Sequence, residues 1–154
     1  MRKVFSIASI LAVIAVVLQF YFAGIGVFSP PEEELFAIHG TAGRIALPIL
    51  FILSLITAAI ARAGRRTIWM TVIAILLLAL QTVLFILTGA IFNVGPESAE
   101  VPLAATLMVS LHVLNGLAIL GLTASIARRA FGPAWRAERT VAAAPASATA
   151  ASTP

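Results

Sequence analysis

The stretch Ile68–Phe92, IWMTVIAILLLALQTVLFILTGAIF, contains no charged side chain. A transmembrane helix needs about 20 apolar residues to cross about 30 Å of hydrocarbon, so this stretch is long enough. Three more stretches reach that length: Val4–Phe28, Leu35–Ala61 and Leu103–Ala127. Because lipid offers no partner to backbone N–H and C=O groups, each stretch is predicted to be helical. The sequence therefore predicts an all-α protein, a transmembrane four-helix bundle.

The composition agrees with a lipid environment. Hydrophobic residues make up 61% of the 154 residues and charged residues only 10%, and the mean hydropathy is +1.09. Such a chain cannot cover itself with a polar surface, which excludes a soluble domain. The chain has no cysteine, which excludes disulfides, iron–sulfur clusters and thiolate ligands.

The charges separate by loop. Basic residues flank the N-terminus, the middle loop and the end of the fourth stretch, whereas acidic residues lie in the other two loops. The basic set is Arg2, Lys3, Arg62, Arg65, Arg66, Arg128, Arg129, Arg136 and Arg139, and the acidic set is Glu32, Glu33, Glu34, Glu97 and Glu100. The positive-inside rule then predicts a multi-pass protein with both termini in the cytoplasm. Since the net charge of +4 reflects this flanking, we expect no nucleic-acid partner.

The chain divides into two predicted parts. Residues 1–130 form the four-helix transmembrane domain, and residues 131–154 form a cytoplasmic interfacial segment and a disordered tail rich in Ala, Pro, Ser and Thr. Within the domain, Ser29–Glu34 has the features of a helix start, with a capping serine, prolines and acids. Asn93–Pro96 is typical of a helix end.

The four helices fall into two similar hairpins. The first helix of each carries one glutamine, Gln19 or Gln81, and the second carries His-x-x-x-Gly, as His39–Gly43 or His112–Gly116. This weak repeat predicts two parallel-related helical hairpins, with an axis along the membrane normal. Two imidazoles placed alike in such hairpins can face one another across the bundle.

These two histidines are the predicted functional site. An ionisable side chain in hydrocarbon is costly, so a buried histidine normally faces the bundle and has a partner there. Neutral imidazole is a good axial ligand for haem iron. His39 and His112 are therefore predicted to be the two metal ligands of one haem b.

Neighbouring residues are assigned supporting roles. Gln19 and Gln81 are predicted to hydrogen-bond the outer ring nitrogens of the histidines. Gly43 and Gly116 lie one turn from the histidines, where they leave room for a flat macrocycle or a neighbouring helix. The site also includes Asn115, as an interhelical hydrogen-bonding group, and Arg44. Three roles are predicted for Arg44: it reaches a haem propionate, it pairs with Glu97 or Glu100, or it extends to the lipid headgroups.

Two counts bear on whether the histidines lie at the same depth. Counted from the acidic loops, the two histidines lie at the same depth. Counted from the basic ends they do not, because His39 lies 23 residues before Arg62 and His112 only 16 before Arg128. Aligning the basic ends would offset the rings by about 10 Å. We align the acidic ends, where the helix-start signals are clear, and expect Pro48 to bend the second helix.

Several segments resemble a known family. The four-span layout, the segment QFYFAGIG at 19–26, the His39 motif and Leu111–Gly116 resemble small four-helix bacterial membrane proteins of unknown function, over about residues 4–130. This resemblance implies a bacterial inner membrane and no established activity. More distantly, one histidine on each of two helices is similar to four-helix b-type cytochromes and to one half of haem A synthase. Those proteins usually carry further histidines that this chain lacks.

The predicted function is electron transfer by a bis-histidine haem b protein, since six-coordinate iron keeps no site open for substrate. A quinol, an external redox protein or a partner subunit is then required, and a homo-oligomer or a larger membrane complex can supply it. The alternatives are a cofactor-free structural or assembly subunit, and a small transporter or quinone site with a histidine proton relay. The sequence leaves enzyme activity open, although no nucleophile and base arrangement supports hydrolysis.

Overall fold

The computed structural model describes residues 1–95 and 98–142, except for the side chains of residue 31 and of residues 133–142. It contains four long helices, α1 (Arg2–Phe28), α2 (Phe36–Ile60), α3 (Arg65–Phe92) and α4 (Leu103–Ala142). All four are long and apolar enough to cross a membrane, α4 over Leu103–Gly132. The predicted all-α class and four spans are confirmed.

The predicted stretch Leu35–Ala61 matches α2 to within one residue at each end, but the helix-start features predicted for Ser29–Glu34 are wrong. Ser29 does not cap that helix; it ends α1 in an extended conformation. Pro31–Glu33 then forms a separate 3₁₀ turn, and Glu34 adopts a left-handed backbone with φ 49°. This conformation interrupts helical hydrogen bonding, so α2 begins only at Phe36.

The other connections follow ordinary turn chemistry. Asn93 ends α3 with φ 51°, the left-handed helix end that asparagine tolerates well. Between α2 and α3, Arg62 has φ 51° and Gly64 has φ 88°, which reverses the chain within a few residues. The last helix continues to Ala142, through the first part of the predicted interfacial segment. The predicted disordered tail from 143 to 154 lies outside the described residues.

The helices pack in a ring. Helix α1 contacts α2 and α4, and α3 contacts α2 and α4. The two helices that carry the histidines, α2 and α4, therefore stand on opposite sides of the bundle. The predicted axis that relates the two hairpins stays a prediction.

The bundle is apolar outside and partly polar inside. Large side chains such as Ile14 and Leu76 are exposed on the outer faces, as expected for contact with lipid. The interior holds Phe51 and small apolar residues together with buried serine and threonine. One hydroxyl residue from each helix surrounds a cavity of about 10 Å³: Ser9, Ser54, Thr71 and Thr123.

The two ends of the bundle differ in charge. We call the end with residues 29–35, 93–95 and 98–102 the acidic end, because Glu32, Glu33, Glu34 and Glu100 lie there. We call the opposite end, with the start of α1 and the turn between α2 and α3, the basic end. His39 lies about one turn into α2, so the predicted site is near the acidic end.

Candidate functional site

His39 and His112 meet across the bundle. Their ring centroids lie 5.9 Å apart, with the ring planes at 73°. The predicted meeting of the two imidazoles is therefore confirmed, and aligning the helices by their acidic ends is correct. The unequal counts from the basic ends arise because α4 continues as a helix well beyond Arg128.

A π-helical turn directly follows His39. Residues Ala42–Ala46 are π-helical, and the Leu47 amide bonds to the Ala42 carbonyl, five residues back. Pro48 comes next; it has no N–H for the Arg44 carbonyl, and its ring crowds that carbonyl. The local change of geometry predicted from Pro48 thus takes the form of a π turn, which inserts one extra residue into α2.

Gln19 contacts both the ring and the backbone of His39 through its carbonyl and its side-chain amide. The Nδ1 atom of His39 lies 2.9 Å from the Gln19 backbone oxygen. In the amide orientation that satisfies its neighbours, Gln19 Nε2 donates to the His39 carbonyl at 3.1 Å, and Oε1 accepts from the Gly43 amide at 2.7 Å. One side chain of α1 therefore satisfies backbone groups on both sides of the His39 turn.

The tautomer of His39 decides which nitrogen is free. In that same orientation Gln19 Nε2 also lies 2.9 Å from His39 Nδ1, so Nδ1 can accept from the amide or donate to the carbonyl, but not both. Donation from Nδ1 to the carbonyl leaves the Nε2 lone pair of His39 free. This is the tautomer that a metal ligand requires.

Gln81 contacts the backbone carbonyl of its histidine as Gln19 does, but it makes no contact with the ring nitrogen Nδ1. Its Nε2 donates to the backbone oxygen of His112 at 3.2 Å, whereas the His112 Nδ1 and Gln81 Oε1 atoms are buried without a hydrogen-bond partner. The predicted bond from Gln81 to the ring nitrogen is thus wrong.

The two motif glycines make room for these glutamines. A Cβ atom at Gly43 would lie 3.6 Å from the Gln19 side-chain amide, and one at Gly116 would lie 3.6 Å from Gln81 Nε2 and 3.2 Å from the Phe20 ring. The space that we assigned to a macrocycle or a helix therefore holds polar side chains and one aromatic ring.

Aromatic rings complete the surroundings of the site. Phe36 lies 5.4 Å from His39 and Phe85 lies 5.0 Å from His112, measured between ring centroids. Both phenylalanines are about half exposed on the outside of the bundle. Sequence reasoning missed these residues, although Phe36 lies three residues before His39 and is thus its neighbour on the helix surface.

Asn115 and Arg44 both donate hydrogen bonds to backbone carbonyls. Asn115 is buried and donates to the Leu77 carbonyl of α3 at 2.7 Å, which confirms it as an interhelical hydrogen-bonding group. Arg44 is exposed, and its Nε donates to the Gly40 carbonyl of its own helix at 3.2 Å. The predicted partner Glu97 lies outside the described residues.

The candidate ligands are two side chains, those of His39 and His112. Among the residues that the structure describes, no group of three or more His, Cys, Asp or Glu could hold a metal ion. A zinc site built by protein side chains needs three or four such ligands. Two imidazoles suit a metal whose remaining ligands come from a cofactor, as in haem.

One family model matches residues 19–89 of the chain, a range that includes Gln19, His39 and Gln81. The chain matches a family of unknown function (DUF6220). The predicted resemblance to a family of unknown function is confirmed, and the DUF6220 match supplies no activity. No curated protein and no solved structure matches the chain. The more distant likeness to b-type cytochromes and haem A synthase stays a prediction.

Proposed function

We propose that this protein binds one haem b, with His39 and His112 as its axial ligands. The observation that carries the proposal is the 5.9 Å between the two ring centroids, from helices on opposite sides of the bundle. Metal–imidazole bonds of about 2 Å, with about 1 Å from each nitrogen to its ring centre, place two ligating rings about 6 Å apart. The observed separation fits that arrangement.

The residues around the rings fit a haem in part. The Gln19 carbonyl can hold the His39 ring by its Nδ1 hydrogen, which fixes its orientation. Phe20, Phe36 and Phe85 occupy the space beside the imidazoles, so a macrocycle requires these side chains to move. Phe36 and Phe85 are half exposed to lipid and can turn outward.

Electron transfer is the role we infer for this site. When bound, the haem supplies a reversible one-electron change of its iron, and two imidazoles leave no coordination position for substrate. A haem near one end of the bundle cannot by itself carry electrons across the membrane. We therefore infer a quinol, a redox protein or a further subunit as partner, in a homo-oligomer or a larger complex.

Charge supports an orientation for this proposal. The basic end carries Arg2, Arg62 and Arg129, and positive residues favour the cytoplasmic side. Both termini would then be cytoplasmic, in a bacterial inner membrane, and the histidines would lie near the outer surface. An electron partner would meet the protein from that side or from within the lipid.

The visible spectrum of the protein purified from haem-supplemented cells tests the proposal. We expect low-spin bands that sharpen on reduction with dithionite, because two imidazoles give strong-field coordination. His39→Ala and His112→Ala should each lose haem or become high-spin, whereas Ser54→Ala, a matched change of a buried polar residue elsewhere in the bundle, should keep the spectrum. A colourless wild-type protein, or normal spectra in both histidine variants, would contradict the proposal.

A cofactor-free bundle is the second candidate function, and the edge-to-face contact between the two imidazoles favours it. Here the histidines, their glutamines and the flanking phenylalanines hold α2 and α4 together in a structural or assembly subunit. This candidate predicts a colourless wild type in which each His→Ala variant lowers the melting temperature more than Ser54→Ala does.

A further inference from the structure

A second polar site lies at the basic end of the bundle, far from the histidines. Residues from helices α1, α3 and α4 and from the turn between α2 and α3 line a cavity of about 160 Å³, large enough for several water molecules. Three of the lining residues are arginines from three parts of the chain: Arg2, Arg62 and Arg129.

The lining combines an apolar floor with a cationic rim. Phe5, Ala61 and Ala130 are each less than 10% exposed, whereas the three arginines are exposed. The eight lining residues include no carboxylate, so the three positive charges have no acidic partner in the cavity wall. The wall therefore attracts an anion.

Local structure places two of these arginines. The left-handed backbone of Arg62, with φ 51°, belongs to the tight turn that brings the end of α2 beside the start of α3. The Nε atom of Arg129 donates to the hydroxyl of buried Thr67 at 3.3 Å. That bond uses one of five guanidinium N–H donors and leaves the others for a ligand.

We propose that this cavity binds a phosphate group, with the guanidinium groups of Arg2, Arg62 and Arg129 as its ligands. Guanidinium is planar and bonds phosphate oxygens in pairs, which makes arginine the usual residue for this chemistry. A phospholipid headgroup and free inorganic phosphate both present it. The apolar floor beneath the arginines favours the lipid, whose glycerol and first acyl carbons can contact Phe5.

Lipid binding by the full-length protein in detergent tests this site. The affinities for phosphatidylglycerol and phosphatidylcholine are measured by native mass spectrometry, for the wild type, for Arg62→Gln/Arg129→Gln and for Arg65→Gln/Arg66→Gln. The last pair removes the same charge from the same end of the bundle but does not line the cavity. Inorganic phosphate is added in a competition arm.

We expect the Arg62/Arg129 variant to bind phosphatidylglycerol about thirtyfold more weakly than the wild type, since two cations that each contribute about 1 kcal/mol are removed, and more weakly than the Arg65/Arg66 variant. If inorganic phosphate displaces phosphatidylglycerol, the site recognises the phosphate group alone. If it does not displace the lipid, the site recognises the whole headgroup. Equal affinities for the two double variants would overturn the proposal, because attraction would then come from surface charge alone.

Folding is checked by gel filtration of both double variants. Should the Arg62/Arg129 variant aggregate, Arg2→Gln replaces it, because Arg2 is an exposed residue in the first turn of α1. We expect a roughly fivefold loss of phosphatidylglycerol affinity from this single change, at about 1 kcal/mol per cation. An unchanged affinity for Arg2→Gln would then contradict the assignment.

Discussion

At the residue scale, two glycines of the bundle have different surroundings. A Cβ atom at Gly26 of α1 would lie 2.6 Å from the Cα of Phe36, a contact with backbone that only separation of α1 and α2 can relieve. A Cβ atom at Gly43 meets the Gln19 amide at an ordinary 3.6 Å. Gly26 is therefore required where the chain passes from α1 to α2, and Gly43 is not required by sterics.

We predict that Gly26→Ala destabilises the protein and that Gly43→Ala does not. Overpacking costs about 1–3 kcal/mol, which corresponds to a melting temperature lower by roughly 2–12 °C. At Gly43 alanine has the better helix propensity, by about 1 kcal/mol, so the melting temperature should hold or rise. Thermal unfolding in detergent measures both. Equal melting temperatures for the two variants would show that the Gly26 contact is not rigid.

The histidine pair could be predicted from sequence, and the contacts around it could not. Two His-x-x-x-Gly motifs at matched depth are enough to place His39 opposite His112, because helix geometry fixes their level. Gln19 and Gln81 look equivalent in sequence, and each donates to the backbone carbonyl of its histidine. Only Gln19 also contacts a ring nitrogen and a glycine amide, which the sequence does not indicate.

At the scale of elements, the π turn of α2 is the feature that periodicity could not show. A π turn adds one residue to a helix, and the apolar pattern of a span that faces lipid on most sides is too uniform to reveal it. Pro48 marks its end, and Gly43 lies within it. The 3₁₀ turn and the left-handed Glu34 that precede α2 also have no distinctive sequence signal, although the predicted stretch begins within one residue of Phe36.

We predict that deleting Ile45 is tolerated better than deleting Ile52. Ile45 lies in the π turn. Its removal restores a regular α-helix, so the residues on either side of the deletion keep their orientation relative to one another. Ile52 lies in the regular part, where a deletion rotates His39 by about 100° relative to the rest of the helix. The two side chains are exposed to a similar extent, 57% for Ile45 and 50% for Ile52, so the two deletions remove similar amounts of packing.

The yield of folded protein from membranes, measured by gel filtration, checks this prediction. We expect the Ile45 deletion to elute like the wild type and the Ile52 deletion to lose most of its monodisperse peak. The reverse order would mean that the π turn is needed for the fold.

At the scale of the whole molecule, the hydropathy of the helices and the charges of the loops are the properties from which the sequence predicts the fold. Apolar length alone predicts the four helices, because lipid permits only internally bonded structure. The ring order of the helices required the structure, since their outer faces are equally apolar. The separation of acidic and basic loops is visible in sequence and remains in the fold.

We predict that the acidic end faces outward. Ala99→Cys at the acidic end should react with an impermeant thiol reagent added to intact cells, and Arg66→Cys at the basic end should not. Both positions are exposed, and the chain has no other cysteine. The opposite pattern would place His39 and His112 near the cytoplasm.

Titration of the purified protein with haemin tests the central claim most directly. The account predicts a low-spin absorption spectrum that grows until one haemin is bound per chain, and its loss in the His39→Ala/His112→Ala double variant, because the two imidazoles are the only axial ligands proposed. Absence of a low-spin spectrum, or an unchanged titration in the double variant, would contradict it.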